Sequence, residues 1–105
     1  YKLLGDVAFQ QRQYEKALRQ YQQSIIQLNF TFNDHDIHQN PQDYTQGFSS
    51  YLLFESLLAK ARSWQALHRQ QPRDPYREAA IQTYASAFRL ADYIEKSFDN
   101  EEARL

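Results

Sequence analysis

Cysteine is absent from the 105 residues. A disulfide framework, a thiolate metal site and a cysteine nucleophile are therefore excluded within this sequence, while the redox compartment stays open. Methionine is absent as well, even at position 1. Tyr1-Lys2-Leu3-Leu4 already carries a helical pattern and no signal-peptide pattern. We expect a piece of a longer protein, with any localisation signal outside it and the cytoplasm as the default compartment. Two glycines are too few for a glycine-rich phosphate loop. Pro41 and Gly47 punctuate one region, Pro72 and Pro75 another, and long unbroken stretches lie between them. That is how a helical chain is punctuated. The formal charge is only -1, from 12 basic and 13 acidic residues. No basic stripe argues for nucleic acid, and no basic amphipathic face argues for a membrane surface. No apolar run approaches the roughly 20 residues of a membrane-spanning helix.

What is present is ordinary for one globular domain: 42% hydrophobic and 24% charged residues. A chain of this size buries about 65% of the surface exposed by its unfolded form, enough for a core. Spacings of three and four predict the helices. Tyr1, Leu4 and Ala8, with Leu3 and Val7, make one apolar helix face. Gly5 lies among them, where glycine costs up to about 1 kcal/mol relative to alanine; close approach of a second helix accounts for it. Ala17, Tyr21, Ser24 or Ile25, and Leu28 mark a second helix from about residue 14. Only residues 11–13 separate the two, which predicts an antiparallel pair.

The pattern fails from 29 to 46. Asn33, Asp34, Asp36, Asn40, Pro41 and Asp43 are turn formers, so we expect a long surface loop over 31–46, near the upper length for an unstructured connection. A third helix is predicted from Gly47 to about Gln70. Its rows Tyr51, Phe54, Leu58, Ala61 and Phe48, Leu52, Leu57, Trp64, Leu67 suggest burial on two sides. A fourth starts at Asp74-Pro75, a good N-cap followed by proline at the first helical position. It is expected to end at Asp99-Asn100. Residues 101–105 then read as the first turn of a truncated fifth helix.

The first hairpin resembles the tetratricopeptide repeat. That family's pattern is Trp-x2-Leu-Gly-x2-Tyr, then Ala-x3-Phe, then Pro, with a period of about 34 residues. Tyr1 stands for the tryptophan, Leu4-Gly5 match, and Ala8 stands where the tyrosine is expected. Ala17 and Tyr21 match the Ala-x3-Phe unit, with Ser24 the next small residue. Asn29 replaces the closing proline. The second hairpin fits more loosely: Trp64 and Leu67 fall in the first-helix positions with His68 in place of glycine, and Ala80, Tyr84 and Ala87 in the second-helix positions. The two units are farther apart than one period; the long loop and extended third helix account for the excess. The segment from Ala79 to Leu105 looks like the repeat region of bacterial CHAT-domain proteins. Those proteins place such helices ahead of a C-terminal caspase-like peptidase domain, whose residues would lie beyond Leu105.

Candidate chemistry is sparse. Asp34-His35-Asp36-Ile37-His38 has metal-ligand side chains, but the spacing matches no established motif. A solvated polar loop is the principal reading, ahead of a metal site or a partner-contact loop. His68 reads as a packing histidine. Asp99 with Glu101 and Glu102 reads as helix-terminus complementation. Aromatic residues make up 15% of the chain. Repeat packing explains Tyr14, Tyr21, Phe54, Trp64 and Tyr84 better than a peptide groove does. By analogy with repeats that bind extended peptides, Lys2, Asp6, Phe9, Gln10 and Arg12 are the candidate protein-binding face.

The expectation is an all-α chain: antiparallel helical hairpins stacked as a short right-handed solenoid. The first hairpin covers 1–30, a loop 31–46, and the second, extended hairpin 47–100. The expected function is a protein–protein interaction scaffold, not itself an enzyme, without cofactor or metal, within a larger bacterial protein. Its partner is a protein or peptide, with neither nucleic acid nor membrane. The CHAT resemblance implies an alternative, a regulatory or sensor region contacting a C-terminal peptidase domain of the same chain. Apolar surface at the open ends makes homo-oligomerisation a third expectation.

Overall fold

The computed structural model describes the backbone of residues 1–29, 31–43 and 50–104, and the side chains of those up to residue 96. The chain is all-α. Four helices follow in order: α1 (Lys2–Gln10), α2 (Tyr14–Leu28), α3 (Ser50–Gln70) and α4 (Asp74–Arg104). Among the described residues none forms an extended sheet strand. α1 packs on α2, α2 on α3 and α3 on α4, while α1 also touches α3. α2 and α4 make no close backbone approach among the described residues.

The turn between α1 and α2 is closed by two backbone hydrogen bonds. The Gln13 amide donates to the Ala8 carbonyl at 2.9 Å and the Arg12 amide to the Phe9 carbonyl at 3.0 Å. Those bonds form a Schellman closure, whose left-handed position is usually glycine. Here Arg12 holds it, with φ of 60°. α1 then lies close against α2, and the Tyr21 ring fills the place where Gly5 has no side chain. Ala8, Ala17 and Tyr21 form the core of this pair.

Two further clusters tie the helices together. Ile25, Leu53, Leu57, Ala87 and Leu90 join α2, α3 and α4 at one end. Leu18, Trp64, Leu67, Ala79 and Ala80 join them at the other. Small polar residues allow close packing between them: Ser24 and Ser56 share a buried hydroxyl–hydroxyl bond of 2.9 Å across α2 and α3. The α3–α4 turn is closed by His68, whose Nδ1 lies 3.1 Å from the Arg73 amide and accepts from it.

Two expectations are corrected. α4 runs unbroken through Asp99 and Asn100 to Arg104, so residues 101–104 continue it and start no fifth helix. Aspartate and asparagine cost only a few tenths of a kcal/mol more than typical helix residues, and no glycine or proline follows them. The segment 31–43 is irregular, as expected, but it is not merely a solvated connection. It is a strap packed against the helices. Pro41 is buried, Ile37 packs against the Leu18–Trp64 cluster, and Phe32 packs against the Ile25–Leu57 cluster. Gly47 and Phe48, expected to open the third helix, lie outside the described residues, as do positions 44–46 of the expected loop.

Candidate functional site

A groove of about 550 Å³ runs between α1 and α3. α1 contributes Lys2, Asp6, Phe9 and Gln10, and Tyr21 of α2 lies at its floor. The facing wall is α3, with Tyr51, Phe54, Glu55, Leu58 and Arg62. Four of the five residues expected on a binding face therefore line one groove. Arg12 does not line it, because its left-handed conformation puts it in the turn beyond α1.

The polar groups on the α1 side are already organised. Asp6 accepts from the Tyr21 hydroxyl at 2.6 Å through Oδ1 and pairs with the Lys2 ammonium at 3.1 Å through Oδ2. Burial raises the Tyr21 phenol well above its ordinary pKa of 10, and the Asp6 hydrogen bond and charge add to this, with Arg62 opposing. The phenol thus stays a donor. Glu55 and Arg62 on the opposite wall have no ion-pair partner among the described residues. They lie two turns apart on one helix face, about 10 Å along the axis. The groove therefore offers aromatic walls, one satisfied carboxylate and one charge of each sign without an ion-pair partner among the described residues.

The α3 wall escaped the sequence reading because Phe54 was read as repeat packing in preference to a peptide groove. Glu55 and Arg62, charged residues two turns apart on the helix face that also carries Tyr51, Phe54 and Leu58, were the available signal.

The Asp34–His38 cluster is organised differently from a metal site. Asp34 Oδ1 accepts from the Asp36 amide and Asp36 Oδ1 from the His38 amide, each at 2.9 Å. These are Asx turns, which shape the strap. His35 Nδ1 lies 2.8 Å from the Gln23 amide nitrogen, and the His38 ring lies 4.8 Å from the Trp64 ring. No group of three metal-ligand side chains converges among the described residues.

What the strap turns inward is its backbone. Gln22 Nε2 of α2 lies 2.8, 3.0 and 3.1 Å from the carbonyls of Asp34, Asp36 and Gln39, and its two hydrogens serve all three through one shared, three-centre bond. Lys60 Nζ of α3 donates to the Gln39 carbonyl at 2.7 Å and to Asn40 Oδ1 at 2.8 Å. The Asn40 amide reaches Thr83 of α4 at 3.4 Å. At the strap's two ends, Asn29 Nδ2 donates to the Asp43 carbonyl at 2.7 Å. Asn29 Oδ1 accepts from the Thr31 amide at 3.1 Å. Asn29 thus closes the exit from α2 with its side chain.

No family model, curated protein or solved structure matches this chain.

Proposed function

We propose that the protein is an interaction scaffold of the tetratricopeptide-repeat type, non-catalytic in itself, that holds a peptide segment of a partner protein in the α1–α3 groove. The observation that carries this is the groove itself: residues from both walls converge on one concave surface of about 550 Å³, with aromatic sides and with Glu55 and Arg62, which form no ion pair among the described residues. A peptide backbone is a run of donors and acceptors, and such a surface satisfies it while apolar side chains settle between Phe9 and Phe54. The helix order supports a reading as two stacked hairpins of a short right-handed solenoid. Each helix packs on the next in the chain, α1 also meets α3, and Gly5 receives the Tyr21 ring as the repeat pattern requires. Apolar residues remain on the outward faces of both end helices: Leu3, Leu4 and Val7 on α1, Ile81 and Phe88 on α4. Stacked repeats leave such faces for their neighbours.

The test is selection of peptides from a displayed random library on the immobilised protein, followed by titration of the selected peptides. Binding that weakens at least tenfold in Arg62→Glu and in Phe54→Ala, with the helical circular dichroism unchanged, supports the groove. Recovery of no binder, or of binders indifferent to both substitutions, sinks it.

A further inference from the structure

Lys60 is the only charged side chain that is fully buried among the described residues. A lysine stem usually lets its ammonium reach water from a helix face. Here the ammonium points beneath the strap instead. Both of its acceptors, the Gln39 carbonyl at 2.7 Å and Asn40 Oδ1 at 2.8 Å, belong to the strap and none to a helix. The strap in turn bridges α2, through Gln22, and α4, through Thr83, whose backbones make no close approach among the described residues. Seating residues 34–40 dehydrates the amine, and lifting them hydrates it.

We propose that Lys60 is a proton-operated clasp: protonating its amine favours release of the 34–40 segment from the α2–α3–α4 surface, and removing the proton favours seating.

The reason is that a dehydrated amine resists carrying charge. Burial pulls Lys60 down from the ordinary 10.5 to about 7, against the attraction of Asp36 and Asp34. Among the described residues these two carboxylates, both on the strap, are the charged groups acting on it. Gln22 from α2 and Thr83 from α4, the polar groups engaging the strap from the other helices, do not titrate. A released Lys60 behaves as a free lysine and binds its proton more tightly than a seated one. Between the two values each fall of one pH unit therefore favours release about tenfold, and below the lower value the effect levels off. The release concerns the face away from the α1–α3 groove, so it stands apart from peptide binding there.

The strap's own imidazoles, His35 on Gln23 and His38 on Trp64, could add a pH response. The experiment therefore uses a background with His35→Gln and His38→Gln. The side chains of Lys2, Lys16, Lys60 and Lys96 are labelled with carbon-13, and each signal is followed by NMR against pH. One signal, absent from Lys60→Met, is expected to titrate about three units below free lysine. Hydrogen exchange at the Gln39 amide, which donates to the Asp36 carbonyl at 2.9 Å, reads the strap. Base-catalysed exchange through fast opening ordinarily accelerates about tenfold per pH unit. The clasp cancels that, so the Gln39 rate is expected to stay level between about pH 7.5 and 9, and to regain the tenfold rise in Lys60→Met. A free-lysine midpoint for Lys60, or a tenfold rise at Gln39 with the lysine present, overturns the proposal. The Gln39 exchange rate comes from a chain that retains Lys60, so it decides the matter even if Lys60→Met does not fold.

Discussion

The ring of Tyr21 occupies the space that a side chain at Gly5 would need. A Cβ on Gly5 would lie 2.5 Å from the Tyr21 Cε1 and 2.7 Å from its Cδ1. The ring cannot simply swing away, because its hydroxyl is held by Asp6 at 2.6 Å. Gly5→Ala should gain up to about 1 kcal/mol of helix propensity and lose about 1–3 kcal/mol through overpacking. We expect a net loss of about 1–2 kcal/mol in urea unfolding. In a Tyr21→Leu background the same change should be neutral or stabilising, because the two sites are coupled through direct contact. Equal effects in both backgrounds would separate Gly5 from the ring.

Tyr21 should resist ionisation. Its phenol is raised above the ordinary value by burial first and by Asp6 second. In an alkaline titration of phenolate absorbance, one of the eight tyrosines should lag until the protein unfolds. That lag should vanish in Tyr21→Phe. The folded pKa lies above the unfolded one, so this group's contribution to stability is whole below pH 10 and declines as pH rises through the folded value.

Arg12 holds the left-handed turn position at φ of 60°, which costs a non-glycine residue roughly 1–2 kcal/mol. Arg12→Gly should stabilise the protein by about 0.5–1 kcal/mol, the relief of strain being offset by the freedom glycine gains in the unfolded chain. A lower denaturation midpoint would show that the arginine side chain contributes more than its backbone costs.

The helices were legible where the side chains themselves carry the pattern. Ala17, Tyr21 and Leu28 repeat at helical spacing, and α2 spans Tyr14–Leu28. Gly5 was legible as a close approach, because only a neighbour's bulk explains a glycine on an apolar helix face. The end of α4 was misread, since aspartate and asparagine disfavour a helix interior too weakly to stop one without help from glycine or proline. The strap was illegible for a different reason. Its inward groups are the carbonyls of Asp34, Asp36 and Gln39, and every residue carries a carbonyl. Lys60 and Gln22, the donors that meet them, have the side chains expected on a solvated helix face. Only the fold reveals that they face inward.

Stability should climb with pH above neutrality. Lys60 has a folded pKa of about 7, against 10.5 for the ordinary side chain. Between those values the unfolded chain binds more protons, so the stabilising contribution is complete above the upper value and is lost as pH falls through the lower one. From pH 7 to 9 the gain is at most about 2.5 kcal/mol. Urea midpoints measured across this range should rise in the wild-type protein and stay level in Lys60→Met. Tyr21 does not enter, because its phenol remains protonated throughout the interval.

Gln22 separates the roles of the three strap carbonyls. The Gln39 carbonyl also accepts from Lys60, and the Asp36 carbonyl also accepts from the Gln39 amide. The Asp34 carbonyl alone of the three has Gln22 as its one donor among the described residues. Gln22→Met should therefore cost only about 1 kcal/mol, the worth of one ordinary hydrogen bond. Gln22→Glu is similar in size yet sets carboxylate oxygens against carbonyl oxygens in a buried site. It should cost about 3 kcal/mol, moderated by attraction to Lys60. Chemical denaturation of the two variants tests the order. Equal stability of the two would mean that the strap carbonyls do not meet the amide nitrogen of Gln22. A deficit in Gln22→Glu that grows when Lys60→Met is added would place the ammonium within reach of the new carboxylate.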